Sequence, residues 1–449
     1  MATTDLAFFA PQARLVDVDT NSVVGSSDAN RLDGGGANPA DVDLISAKVT
    51  LGINDVCQLT VVLNNQRNQR GRPLHPPWKY NDLAAIPFGK RLRLDMRYGA
   101  DPWTKMIVAR VTDLQFGFPN GAAQLTVTGE DLLSLLKTTP KDEHPYRDRT
   151  EAQIVRDVLT RSKAKDLGLE FADSTESWPE LEPLKSITHA SGQSYLKFLQ
   201  SIAERLDFEV FVDFTDRLRL DSQAKPADAS NVRLHFEPAR SLNDPETVVD
   251  LHWGVNLIEL TPKLKVWEQH TGIQYGGTRH GKRARFKGTV SLEEAIAEDL
   301  KQDTTYRFER ANPDDPENNV VVDNIDLLGA GRVRERFFAK NEGQALENDK
   351  PLHTVNIDEP RAKLQAKAQL RKTARELLTA QGSTIGFPSL RPGMYARVRG
   401  LYPPFDGLYY VTQTTHTLDT GGYKTQFALR RPGLLDPSKY PATQVVSPI

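Results

Sequence analysis

Apolar residues recur at every second position through "DLISAKVTLGI", "CQLTVVLNN", "KRLRLDMRYG" and "AAQLTVTGED", with turn residues between the runs. A period of two is the signature of strands with one buried face, so the chain from Leu6 to Leu136 predicts an antiparallel β domain. In the last of these runs Ala123, Leu125 and Val127 share one face, and Gln124, Thr126 and Thr128 share the other. One side is core, and the other is wet or meets a polar partner. Within residues 25–41 small residues and glycine dominate, which predicts a mobile insertion between strands.

The period changes after Pro140. Thr150 with Gln153 forms a capping box ahead of Ile154, Val155, Val158 and Leu159. A second helical stripe carries Tyr195, Leu199, Ile202 and Leu206 and runs into the strand "DFEVFVDF". Residues 141–222 therefore predict a small α/β domain. Period two returns in "NVRLHF" and "VNLIELTPKLKVWEQ", is interrupted by an insertion at about 276–350, and resumes in "GMYARVRG", "GLYYVTQTTHTL" and "YKTQFALRR". Before that last group, residues 358–382 carry the marks of a helix: Pro360 at the start, Ala366, Leu370, Ala374 and Leu377 along one side, and Gly382 just past the end. The organisation reads as a first β domain (1–140), the α/β domain (141–222), a second β domain (223–440) and a tail (441–449).

The two β domains share a pattern. In each, a Gly-led strand (Gly89, Gly393) precedes a Val-Thr pair (Val111-Thr112, Val411-Thr412), then a glycine turn (Gly121, or Gly421-Gly422), then a strand of alternating apolar residues. Chance recurrence of hairpins is one explanation, and internal duplication of one domain is the sharper one.

Composition changes the picture little. The 449 residues suggest roughly three domains at about 150 each. With 57 basic and 59 acidic residues the net charge is -2, so no global field draws the chain to nucleic acid or an acidic membrane. The single cysteine, Cys57, has no partner for an internal disulfide, which fits synthesis in a reducing cytoplasm. The sequence shows neither a signal-peptide pattern at its start nor a long uncharged apolar run.

Candidate chemistry is sparse. In "GGTRHGKRARFKG" the spacing of Gly276, Gly281 and Lys282 imitates a phosphate loop, but Arg283 stands where a hydroxyl must hold magnesium and a strand follows where a helix should start. Arg279, Arg283 and Arg285 are then a solvated loop or one that orders against an acidic partner. The nine histidines show no local zinc spacing, and His416 lies in a strand on the face of Leu418, as a packing or interface residue. "NPDDPENN" lacks the ligand alternation of a calcium loop, and no serine elbow is present. Neither an enzyme nor a cofactor is indicated. Arg361, Lys363, Lys367, Arg371 and Arg375 give the helix before the last strands a solvent face or a charged docking surface.

The segment "LRPGMYARVRGLYPPFDGLYYVTQTTHTLDTGGYKTQFALRR" resembles the ending of the phage late control protein D and baseplate hub family of contractile tails, which includes the hub portion of type VI secretion spikes and extracellular contractile injection systems. In that segment the residues carrying the resemblance are Gly393, Tyr409, Tyr410, Val411, Thr412, His416, Gly422, Tyr423 and Phe427. "SITHASGQSYLKFLQSIAERLDFEVFVD", the strand opening at Gly89, "VARVTDL" and "LTVTGEDLLSLL" are similar to other parts of the family, in the same order.

The resemblance implies a mainly β fold with an α/β insertion: two tail-tube-like antiparallel β-barrel domains plus a small α/β domain. It implies a non-enzymatic homotrimer whose six tube-like domains adapt a sixfold tail tube to a threefold spike, with baseplate wedge proteins around it. Such a chain is made in the cytoplasm and assembled into the baseplate of a phage tail or phage-tail-like particle. With Ile449 close behind the last strand, the spike is expected to be a separate polypeptide. A carbohydrate- or surface-binding β module, with Trp253 or Trp267 in a cleft, and a cell-wall hydrolase are the competing readings.

Overall fold

A computed structural model describes residues 11–27, 43–69, 72–99, 101–119, 122–172, 178, 181, 183–184, 186–214, 232–239, 248–265, 270, 272–278, 285–292, 294–295, 308–309, 321–322, 352–354, 359–401 and 405–433. The expected mobile loop at 25–41, most of the 276–350 insertion, Gly121, Trp267 and the tail lie wholly or mainly outside them. The fold is mainly β, with the helices in and around an inserted α/β unit.

The first unit comprises β1 (Pro11–Asp17), β2 (Val23–Ser26), β3 (Leu44–Gly52), β4 (Gln58–Asn64), an arm of β5 (Gln66–Gln69) and β6 (Arg72–Trp78), then β7 (Arg91–Tyr98), β8 (Thr104–Gly117) and β9 (Gln124–Asp131). The alternation seen in the sequence is realised here: Leu125 and Val127 are buried among Leu59, Val61, Leu92 and Leu94, while Thr126 and Thr128 face outward.

The α/β unit follows with β10 (His144–Tyr146), α1 (Glu151–Arg161), β11 (Glu170–Phe171), β12 (Ile187–His189), α2 (Tyr195–Leu206), β13 (Phe208–Phe214) and β14 (Val232–Pro238). Both halves of the capping box form at α1: Thr150 Oγ1 accepts from the Gln153 N–H at 3.3 Å, and Gln153 Oε1 accepts from the Thr150 N–H at 3.1 Å. Val232–Pro238, read from its pattern as the opening of the second β region, instead pairs with β13 and β11. Leu234 and Phe236 pack with Phe208 and Val210, so the α/β unit reaches Pro238 rather than ending at residue 222. Periodicity identifies a strand but not its neighbour.

The second unit contains β15 (Val248–His252), β16 (Leu257–Leu264), β17 (Gly272–Thr278), β18 (Arg285–Ser291), the short β19 (Phe308–Glu309), β20 (Val321–Val322) and β21 (Leu352–Thr354), α3 (Glu359–Arg375), β22 (Leu378–Ile385), β23 (Tyr395–Arg399), β24 (Gly407–Asp419) and β25 (Gly422–Arg431). Helix α3 stops at Arg375, short of the expected end at Gly382. Ala366, Leu370 and Ala374 fill the helix stripe against Ile273, Tyr275 and Val290, after which Leu378 and Ala380 turn inward at period two as β22 pairs with β25. Gly382 sits inside β22, where a Cβ would stand 2.4 Å from the Glu259 carbonyl oxygen and 2.8 Å from the Phe427 ring. This glycine permits close packing within a sheet; it does not end a helix.

Strands from both β units form one 13-stranded sheet. In the first unit the order β1-β7-β8-β9-β4-β3 recurs in the second as β15-β23-β24-β25-β22-β16, and the matching strands follow the same order along the chain. One departure exists: β1 runs antiparallel to β7, whereas β15 runs parallel to β23. The units join where Gln413–Leu418 of β24 pair with Ala47–Gly52 of β3.

Candidate functional site: the repeated hairpin and the junction

The two hairpins agree in backbone detail. In β8 the ladder to β9 slips between Val111 and Asp113, leaving Thr112 as a bulge; in β24 the ladder to β25 slips between Val411 and Gln413, leaving Thr412. Each bulged threonine is tied down by its hydroxyl, Thr112 Oγ1 donating to the Thr128 carbonyl at 3.3 Å and Thr412 Oγ1 to the Ala428 carbonyl at 3.1 Å. The valines bond to the preceding strand in the same way. Gly89 N–H donates to Val111 O at 2.8 Å and Val111 N–H to Lys90 O at 2.9 Å; Gly393 N–H donates to Val411 O at 2.9 Å and Val411 N–H to Met394 O at 2.9 Å. Gly89 and Gly393 have φ of 76° and 82°, the left-handed region that a residue with a Cβ enters at a cost.

The second hairpin closes on a tight turn: Asp419 faces Gly422, whose φ is 111°, and Asp419 Oδ1 accepts from the Gly421 N–H at 2.7 Å. Beyond the bulge, its inward face is polar and fully buried. His416 Nδ1 lies 2.9 Å from the Tyr423 hydroxyl and 3.1 Å from Thr425 Oγ1; Nε2 lies 3.0 Å from the Leu390 carbonyl oxygen and 3.2 Å from Thr414 Oγ1. Burial, reinforced by the nearby Arg391 cation, holds the His416 pKa down at about 3, so the ring is neutral. A neutral ring donating from Nε2 to Leu390 and accepting at Nδ1 satisfies the network. Burial also raises the Tyr423 hydroxyl.

The remaining residues of this ending hold units together. Tyr410 donates to Glu209 Oε2 at 2.5 Å, and Arg430 reaches Oε1 of the same carboxylate at 2.9 Å, locking the hairpin to β13. Burial pushes both Glu209 and Tyr410 up, with Arg430 opposing the shift of each. Tyr409 donates to the Phe405 carbonyl at 2.6 Å, and burial moves its pKa to about 12. Phe427 lies in the second core with Val411 and Leu429.

Sequence reasoning missed the joints between units. Arg391 extends from the second unit to the Lys105 and Met106 carbonyls of the first, the latter at 2.8 Å, and to Asp213 of the α/β unit at 3.4 Å. Asn54 at the β3–β4 turn exchanges bonds with Val210, accepting at 2.6 Å and donating at 3.0 Å. Asp131 is completely buried, which pushes its pKa up to about 7. Single polar residues in turns and strand ends carry no periodic signal, so nothing in the sequence distinguished these from solvated ones.

The basic face of α3 is engaged within the chain. Arg361 forms a buried pair with Glu151 of α1; Arg371 and Arg375 converge on Asp207 at 3.4 and 2.7 Å; Lys363 and Lys367 meet Glu294 at 2.8 and 3.5 Å. The helix braces the α/β unit against the β17–β18 hairpin. Arg279 and Arg283 lie outside the described residues. Arg285 opens β18 where the phosphate-loop pattern would require a helix. Trp253 is half exposed just after β15. No cluster of metal-ligating side chains occurs among the described residues.

Across the junction the outward sheet face is continuous and rich in hydroxyls and amides. Thr50 and Thr415 are linked through their hydroxyls at 3.3 Å, and beside them Gln381, Ser383, Gln413 and Gln426 line a polar concavity of about 430 Å³.

No protein-family model matches the chain, and no curated protein matches its sequence. Solved structures do. The tail protein from Neisseria meningitidis MC58 is similar with a TM-score of 0.53 and 11% identity, over 96% of this chain and 99% of that one. The 43 kDa tail protein of prophage MuSo2 from Shewanella oneidensis gives a TM-score of 0.52 and 12% identity, over 95% and 100%. A type VI secretion system component from E. coli gives 0.49 and 10%, over 90% and 77%. The fold is thus that of phage tail proteins, in line with the contractile-tail resemblance carried by the sequence.

Proposed function

We propose that this chain is a non-enzymatic hub of a contractile tail or injection particle. Three copies form a ring of six related β units, meeting a sixfold tail tube on one side and a threefold spike on the other, with wedge proteins outside. The observation that carries this reading is the equivalence of the two halves: matched strand order, matched bulges at Thr112 and Thr412, and matched left-handed glycines at Gly89 and Gly393. Such agreement, in a chain with the fold of tail proteins, is what duplication of one tube-like domain leaves behind. Duplication gives threefold assembly a sixfold face, since a heterologous contact repeated by rotation closes into a ring. The continuous hydroxyl and amide face then lines the lumen.

Native mass spectrometry and particle imaging of the full chain, alone and with its spike protein, test this. A trimer with six lobes is expected. A monomer under both conditions overturns the reading.

A further inference from the structure

Within the chain, the joint between units is a strand pairing: the part of β24 beyond the bulge bonds to the outer edge of β3. The counterparts of these two edges are the part of β8 beyond its bulge and the outer edge of β16, and neither has a strand partner among the described residues. Resting on the ring reading above, we propose that β8 of one copy pairs antiparallel with β16 of the next, in a single register fixed by the internal joint.

The register follows from the ladders. Val111 and Val411 occupy equivalent places, facing Gly129 and Leu429. Those residues face Leu59 and Ala380, which in turn face Val49 and Pro262. Val49 therefore corresponds to Pro262, Thr50 to Lys263, Leu51 to Leu264 and Gly52 to Lys265. Inside the chain His416 faces Val49, Thr415 faces Thr50 and Gln413 faces Gly52. Between copies Phe116 faces Pro262, Gln115 faces Lys263, Leu114 faces Leu264 and Asp113 faces Lys265.

Side-chain chemistry supports this. At the internal joint Val49, Leu51, Thr414 and His416 are buried. Their counterparts Leu114, Phe116 and Pro262 are only partly covered, and Leu264 is 43% exposed. All four are apolar or ring residues on the core side of their strands, the side a neighbouring edge would cover. On the wet side Asp113 stands opposite Lys265, whose ammonium also reaches Glu376 of its own chain at 3.4 Å, and an amide meets an ammonium at Gln115 and Lys263. Ile53 N–H donates to Thr412 O, which sets which residues of β3 direct their backbone toward β24, Val49 among them. Pro262 thus stands at an outward bonding position without a donor. The joint between copies has one hydrogen bond fewer than the internal one, as suits a proline on an edge strand.

Gln115 and Lys263 are both exposed and fall at a pair whose backbones bond elsewhere, where side chains come closest. Gln115→Cys with Lys263→Cys in the full chain, oxidised and run without reductant, is expected to give disulfide-linked multimers. Gln115→Cys with Thr261→Cys, two residues out of register, is expected to remain unlinked. A ring by native mass spectrometry in which the first pair fails to link overturns the register while leaving the ring intact. A chain that neither links nor associates overturns both the joint and the functional reading on which it rests.

Discussion

The two β units use one strand plan with opposite chemistry in corresponding positions. Beyond its bulge, β24 turns Thr414, His416 and Leu418 inward and satisfies the polar groups with Leu390, Tyr423 and Thr425. The same stretch of β8 carries Leu114 and Phe116, which pack loosely against the first core. A buried polar network is stable only when every partner is in place. The strand that finds its neighbour within the same chain can afford such a network, because folding delivers all the partners together. An edge that pairs with no strand among the described residues is better served by apolar groups, which tolerate exposure.

The most damaging way to break this contrast is at Tyr423, whose ring packs beside Tyr98 of the first unit and whose hydroxyl faces His416. Tyr423→Asp places an unpaired carboxylate in that site and is expected to remove at least about 4 kcal/mol of stability. Chemical denaturation and soluble yield measure it, and a variant folding within about 1 kcal/mol of the parent, an ordinary surface effect, would refute the buried network.

A second contrast is in pH response. For His416 the folded pKa, about 3, is below the unfolded value of 6.5, so its contribution is full above pH 6.5 and lost as pH falls toward 3. Asp131 is the reverse: with a folded pKa of about 7 against 3.8, its contribution is full below pH 3.8 and lost as pH rises through 7. Between about pH 4 and 6.5 the two slopes, each up to about 1.4 kcal/mol per pH unit, oppose each other. Relative to the parent, Asp131→Asn is expected to gain stability as pH rises through this window, and His416→Gln to lose it. Urea unfolding at stepped pH reads both, and parallel profiles for the three proteins would exclude either assignment.

The smallest effect sharpens the equivalence. Gly89→Ala and Gly393→Ala each place a Cβ in the left-handed region and are each expected to cost about 1–2 kcal/mol. Thermal melts showing a cost at only one of them would mean that the two halves share topology without sharing the local device.

Much of this was legible in the sequence. Alternation in "AAQLTVTGED" and "YKTQFALRR" fixes which faces are buried, and the Gly, Val-Thr, Gly order exposes the repeat. What stayed hidden depends on partners. Val232–Pro238 has the same alternation as a strand of the second unit but pairs with β13. Gly382 reads as a helix stop until the Phe427 ring and the Glu259 carbonyl are seen pressing against it. The cations of α3 look solvated because Glu151, Asp207 and Glu294, which pair with them, lie in other segments of the chain. Linear periodicity reports a residue's own face, whereas joints are made by isolated residues such as Arg391 whose targets lie far along the chain.

The β3–β24 joint also sets a schedule for synthesis. Thr50 and Thr415, linked across it, are separated by 365 positions. At a translation rate of about 5–20 residues per second, the edge of β3 leaves the ribosome roughly 20–70 s before its partner exists. The nascent first unit must survive that interval with a bare strand edge, a template for adventitious pairing. The pairing of β24, made so much later, is therefore what ends its exposure to aggregation.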